Sequence, residues 1–279
     1  MGRCRARWIA GIISAVTPTP WQRRIQRAEE LASRYPFVGE ILRFYIQVAR
    51  FQEQLERALS ATLELEGTRI PGSLRPDELS ELSSRFRAFL GLAEKHGPER
   101  LAAMGRELRQ RGPDFWTELL ASTWESFSIS DAQGFLAAAF LQPYAELLRS
   151  RASPDPAQGS RAVCPFCNRT PGFGVMRPMG DGAARWLGCC FCLAEWEFRR
   201  IVCPGCGEEN DQKLVVFSAA DFDCIRVECC ETCKTYIKTI DLSKNGLAEP
   251  LVDELASAPL DLWARERGYA KLHANLFGI

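Results

Sequence analysis

Over the first half of the chain, apolar residues recur at intervals of three and four. Ile41, Tyr45, Val48 and Leu55, with Phe44, Phe51 and Leu59 alongside and Gln52 in the same row, describe one face of a long helix. Pro36 and the region of Gly67 bracket it, and a shorter helix over Gln22 to Arg34 precedes it. After a loop from Gly67 to Pro76, Pro76-Asp77-Glu78 opens another helix, with proline in its first turn and acids near its positive end. Leu79, Leu82, Phe86, Phe89 and Leu90 form its stripe, and Gly97-Pro98 stops it. A helix follows from about Pro98 to Arg111, with Leu101, Met104 and Leu108 on one side. The next starts at Asp114 and carries Phe115, Leu119, Leu120 and Trp124. The last begins at Asp131 with Phe135, Leu136, Ala139 and Phe140, and Pro143 is expected to kink or end it, because proline lacks the backbone donor. These stripes are expected to fill the core of a helical bundle over residues 21–150.

At 151–162 the periodicity disappears into a stretch rich in proline and small polar residues, which reads as a linker. Beyond it the pattern shortens to that of strands. Arg185 to Cys189, the alternation around Trp196 and Phe198, Lys213 to Phe217, Cys224 to Glu228 and Lys234 to Ile240 have β-branched and aromatic content suited to a sheet. Past Asp241 helical spacing returns through Leu251, Leu255, Leu262 and Trp263, interrupted by Pro259, and an apolar tail from Tyr269 to Ile279 is expected to dock on the body.

Between the strands lie four Cys-x-x-Cys knuckles: Cys164 and Cys167, Cys189 and Cys192, Cys203 and Cys206, Cys230 and Cys233. Each such turn sets two thiolates side by side, and two turns facing one another complete a tetrahedral sulfur shell. Four knuckles therefore predict two metal sites. Local pairing, first with second and third with fourth, leaves a ribbon of short strands between partners, and a cross-braced pairing is the alternative. Pro165 and Pro204 stiffen the turns, while Asn168 and Gly207 follow two of the knuckles and tolerate a left-handed backbone. Cys190, Cys224 and Cys229 remain as neighbouring structural cysteines, and Cys4 as a free thiol. Sulfur shells of this kind suit zinc and iron alike. Each unit is too small to bury much apolar surface, so the metal is expected to supply much of its folding free energy.

Composition narrows the functional classes. The 279 residues carry 35 Lys+Arg against 35 Asp+Glu, which gives no overall attraction to polyanions. His96 and His273, the two histidines, both lie outside the knuckles; His96 is expected to be a solvated or capping residue at a helix end, and His273 to be structural. The opening Arg3, Arg5 and Arg7 before an apolar run resemble a signal peptide, but the run is short and lacks a clear cleavage site. Residues 1–20 therefore read as an arm, and the chain as a cytoplasmic protein without a membrane span. No nucleophile–base pair, paired carboxylates or phosphate-binding glycine loop stands out, so the reading is non-enzymatic.

Several of these residues together resemble the formate dehydrogenase accessory proteins of the FdhE family. They are the four knuckles in this order, the run Cys192-Leu-Ala-Glu-Trp196, the run Glu228-Cys-Cys-Glu-Thr-Cys233-Lys-Thr-Tyr236, Leu260 to Tyr269, and the closing Asn275-Leu-Phe-Gly278. The helical segment from Arg24 to Gln54 also looks similar. The resemblance implies a multidomain α+β chain: an N-terminal helical bundle domain, two small rubredoxin-like or zinc-ribbon Cys4 modules at 163–202 and 203–241, and a C-terminal helical segment at 242–279. It further implies a cytoplasmic chaperone that binds the formate dehydrogenase catalytic subunit before export. Two metal ions, iron favoured over zinc, would be held by Cys164, Cys167, Cys189, Cys192, Cys203, Cys206, Cys230 and Cys233. A rubredoxin-like redox or thiol protein acting in maturation and a zinc-ribbon nucleic-acid-binding protein are the competing expectations.

Overall fold

The computed structural model describes residues 17–62, 74–126, 129, 131–153 and 161–275. The arginines and Cys4 of the opening arm, most of the loop before Pro76, the centre of the linker and Leu276 to Ile279 lie outside the described residues. Six helices come first: α1 (Pro20–Arg34), α2 (Gly39–Thr62), α3 (Pro76–His96), α4 (Glu99–Arg109), α5 (Pro113–Ser126) and α6 (Ala132–Arg151). The sheet strands are β1 (Pro171–Met179), β2 (Gly182–Cys189), β3 (Glu195–Glu197), β4 (Leu214–Ser218), β5 (Ile225–Cys230) and β6 (Thr235–Asp241). Two short helices, α7 (Pro250–Ala256) and α8 (Ala258–Glu266), and a two-residue strand β7 (Ala270–Lys271) close the described chain. None of the described helices is long and apolar enough to cross a membrane.

Local chemistry sets the helix ends. Thr19 and Gln22 form a reciprocal capping box ahead of α1, and the Asp131 side chain accepts from the Gly134 N–H at the start of α6. One expectation is corrected here. Pro143 does not end α6, which continues for two further turns to Arg151. A proline at this position leaves the carbonyl four residues earlier, that of Ala139, without its helical donor. The Gln52 side-chain amide on α2 supplies one instead, at 2.6 Å. The proline thus creates a docking point for a neighbouring helix.

The strands form one sheet in the order β3-β2-β1-β6-β5-β4, with β7 added to β6. Each module contributes an antiparallel meander of three strands, and the two meanders meet where β1 runs parallel to β6, Gly174 opposite Thr239. A Cβ on Gly174 would stand 2.2 Å from the Thr239 hydroxyl, so only glycine permits this junction. β1 itself, with two prolines and two glycines, has no strand signature in the sequence.

Packing divides along unexpected lines. The principal apolar core contains Phe44, Phe86, Phe89, Phe140 and Trp124 from the helices, and it continues without interruption into Leu187, Phe191, Trp196 and Phe198 of the first module. The second module builds its own cluster against α8, from Ile225, Val227, Tyr236, Leu260 and Ala264. Buried bidentate ion pairs tie α1 to helices far along the chain: Arg24 with Glu146 of α6, and Arg27 with Asp253 of α7. Such pairs fix geometry more than they add net stability, since desolvation offsets much of the attraction.

Candidate metal centres

Knuckle one precedes β1 and knuckle two follows β2, so the β1–β2 hairpin brings them face to face. Knuckle three precedes β4 by a short 3-10 turn and knuckle four joins β5 to β6, which repeats the arrangement in the second module. The sulfurs of Cys164, Cys167, Cys189 and Cys192 lie within 4.8 Å of one another, and so do those of Cys203, Cys206, Cys230 and Cys233. The grouping is the local one, not the cross-braced one.

The dimensions fit a metal. A tetrahedron with sulfur about 2.3 Å from its centre has edges of about 3.8 Å. Cys164–Cys192 and Cys167–Cys189 are 3.5 and 3.4 Å apart, and Cys203–Cys233 and Cys206–Cys230 are both 3.7 Å. Backbone amides turn toward sulfur, from Phe191 to Cys189 at 3.4 Å and from Gly205 to Cys203 at 3.3 Å. The residue after every knuckle is left-handed: Asn168 (φ 57°), Leu193 (φ 51°), Gly207 (φ 77°) and Lys234 (φ 55°). Asn168 and Gly207 are tolerant types that the sequence points to. Leu193 and Lys234 are not, and their strain is held by the fold around them.

Four thiols this close cannot all ionise without a cation among them. Hydrogen bonding with Cys164, then with Cys189 and Cys192, holds Cys167 far below the ordinary thiol range, while burial pushes Cys189 well above it. In the second set partial desolvation of the sulfur, together with hydrogen bonding to the neighbouring thiols, lifts Cys206 to about 12 although the residue is exposed, whereas at Cys233 the effect of burial is outweighed by hydrogen bonding with Thr235 and it lies at about 7. Metal would take the place of the shared protons.

The two sets differ in surroundings. All four sulfurs of the first are buried, whereas Cys206 is exposed and Cys233 half-buried in the second. The first set is braced from the helices. The Gln142 amide donates to the Cys190 carbonyl at 3.0 Å, Gln52 bonds Gln142, and Phe191 packs edge-on against Trp124 with Arg169 over its other side. Beneath the second lies a buried ionic network. Lys238 contacts Asp261 at 2.5 Å and Glu254 at 3.1 Å, Lys271 pairs with the same two acids, and Tyr236 donates to Asp261 at 2.7 Å. None of these charges was distinguishable from surface charge in the sequence.

Cys190, Cys224 and Cys229 stay outside both sets. Cys224 and Cys229, both buried, belong to the apolar cluster that the second module builds against α8. Cys190 has a partner: its sulfur is 3.3 Å from Nδ1 of His273, which the tail delivers after β7 pairs with β6. Burial raises the Cys190 thiol and lowers His273, which favours a neutral pair.

Comparison with known proteins finds similarity over most of the chain. Residues 201–277 match the family model described as FdhE, C-terminal domain. A protein named as an FdhE homolog from Aquifex aeolicus is 27% identical over 265 residues, covering 91% of this chain and 94% of that one. Protein FdhE of Escherichia coli (strain K12 / DH10B) is 28% identical over 284 residues, covering 92% and 87%. The crystal structure of the FdhE protein from Pseudomonas aeruginosa superposes with a TM-score of 0.66 over 94% of this chain and 97% of that chain, at 24% identity, and shares the fold.

Proposed function

We propose that the chain, similar to FdhE proteins over most of its length, is a member of that family and a non-catalytic maturation factor for formate dehydrogenase. It works in the cytoplasm, docks the enzyme's catalytic subunit before export, and holds one metal ion in each Cys4 set. The observation that carries this reading is the pairing of family-wide similarity with eight sulfurs in two shells of metal-binding dimensions. Cys164, Cys167, Cys189 and Cys192 hold the first ion, and Cys203, Cys206, Cys230 and Cys233 the second. Bound metal supplies cross-links between strands too short to be stable alone. The test is capture of the catalytic subunit by the metal-replete, reduced protein. Retention supports docking, and no retention at micromolar concentrations of both proteins refutes it.

The exposure of Cys206 supports a second reading, in which iron in the second set exchanges electrons with a docked protein. Elemental analysis of anaerobically purified protein separates the two. Two irons per chain keep the redox reading, and two zincs remove it, because Zn²⁺ has no accessible redox couple.

A further inference from the structure

Among the described residues the main path of the sheet ends in two outer strands, β3 and β4, and they are protected differently. β3 is three residues long and carries Glu195 and Glu197, the first paired with Arg177. β4 is Leu214-Val-Val-Phe-Ser218, without a charge or a proline. Short, charged edges resist pairing with another chain, and long apolar ones invite it.

The register shows which backbone groups of β4 are open. Glu231 N–H donates to Lys213 C=O at 2.9 Å, and the pairing continues with Leu214 opposite Cys230. In an antiparallel ladder bonded pairs alternate. Lys213, Val215 and Phe217 therefore bond to β5, while Val216 and Ser218 turn N–H and C=O outward. Leu214 also faces outward, but its N–H is taken by Asp211 C=O. Among the described residues no strand meets this side.

Beside the open edge, on the face opposite α7 and α8, lies a groove of about 360 Å³ between the modules. Its apolar lining includes Met176, Ile201, Val202, Leu214, Val216 and Ile237, and it reaches Cys203 and Cys230 of the exposed set. Ile201 and Val216 are 56% and 55% exposed. Charges in the lining nearly cancel. Arg185 pairs with Glu228 and Arg226 with Asp241 outside the groove, which leaves Arg200 and Asp211 as one further charge of each sign in the lining.

Building on the docking function, we propose that β4 receives an extended, charge-poor segment of the formate dehydrogenase catalytic subunit as an added strand. Backbone bonds form at Val216 and Ser218, and alternate apolar side chains of the segment fill the groove. The outward amides select a strand, the near-neutral lining selects against a charged segment, and the contact sets the partner against the exposed Cys4 set.

The test uses the full-length, metal-replete chain and the intact catalytic subunit. Val216→Pro removes an outward N–H without removing a bond to β5, Val216→Lys puts a charge on the edge, and Leu247→Lys alters an exposed leucine outside the groove. Both Val216 variants should weaken binding at least tenfold and Leu247→Lys should leave it unchanged. In the wild-type complex the Val216 and Ser218 amides should gain protection from hydrogen exchange. The proposal is overturned, with docking intact, if the wild type binds but those amides stay unprotected or Val216→Lys binds equally well. If the wild type does not bind the subunit, the docking function itself fails and the proposal with it. Protection of the same amides by self-association of the wild type alone would make the occupant a second copy of this chain, and overturn it too.

Discussion

The two Cys4 sets have nearly the same sequence logic and opposite settings. Both consist of paired knuckles on a three-stranded meander, with a left-handed residue after each turn. The first is sealed inside the main core, where aromatic rings and glutamine amides from the helices close around it. The second keeps Cys206 at the surface, lines an open groove with Cys203 and Cys230, and rests on a buried ionic layer. A metal shell joined to the core is a folding element, while one at the rim is accessible to other molecules. The contrast teaches that one ligand motif supports different roles according to what packs behind it.

The sharpest way to break this comparison is to remove one sulfur from each set. Cys189→Ala should destabilise the whole chain by more than about 5 kcal/mol, because structural metal binding supplies on the order of 10 kcal/mol in small domains and here the lost shell lies in the core. Cys206→Ala should lower metal content to one ion per chain while the helices melt within a few degrees of the wild type. Equal losses in calorimetry would show that the two sets are energetically equivalent.

Chelation should resolve the same difference in time. With the zinc-loaded protein and a colorimetric chelator, one equivalent should leave at least tenfold faster than the other. Cys206→Ala should abolish the fast phase. A single phase of two equivalents would contradict the difference in burial.

Acid tests the layer beneath the second set. Burial opposes ionisation of Glu254, but Lys238 and Lys271 outweigh it and hold its folded-state value at about 2. The unfolded chain has an ordinary glutamate near 4.3. A depressed carboxylate lends stability that is complete above the unfolded value and is lost as pH falls through the folded one. Glu254→Gln should therefore flatten the loss of stability between about pH 5 and pH 2, an effect on the order of 2–3 kcal/mol. The check is denaturant unfolding at each pH, with exchange of β6 amides as the local readout.

The smallest effect concerns the brace on the first set. Gln52→Leu leaves the Ala139 carbonyl and part of Gln142 unpaired, which costs about 1–3 kcal/mol. Adding Pro143→Ala restores a helical donor to Ala139 and should recover part of the loss. No recovery in the double variant would show that the glutamine does not serve the proline.

Much of this was legible before the structure. The Cys-x-x-Cys spacing names all eight clustered cysteines, and the three-and-four periodicity finds the six N-terminal helices. β1 was not legible, because Pro171, Gly172, Gly174 and Pro178 read as turn residues and earn a strand only by letting β2 and β6 approach closely. The buried charges Lys238, Glu254 and Asp261 were equally hidden. Nothing local separates a paired buried charge from a solvated one.

What the sequence by itself determined is therefore the inventory: helices from apolar spacing, turns from proline and glycine, and sulfur pairs from the knuckles. These depend on contacts within a few residues, which the order of residues specifies directly. Only the tertiary structure decided that two meanders share one sheet through Gly174 and Thr239, and that Gln52 answers Pro143. It also decided that His273 reaches Cys190 and that one set of four sulfurs is buried while the other opens on a groove. Those outcomes depend on groups far apart along the chain, brought together where packing and backbone pairing leave one consistent arrangement.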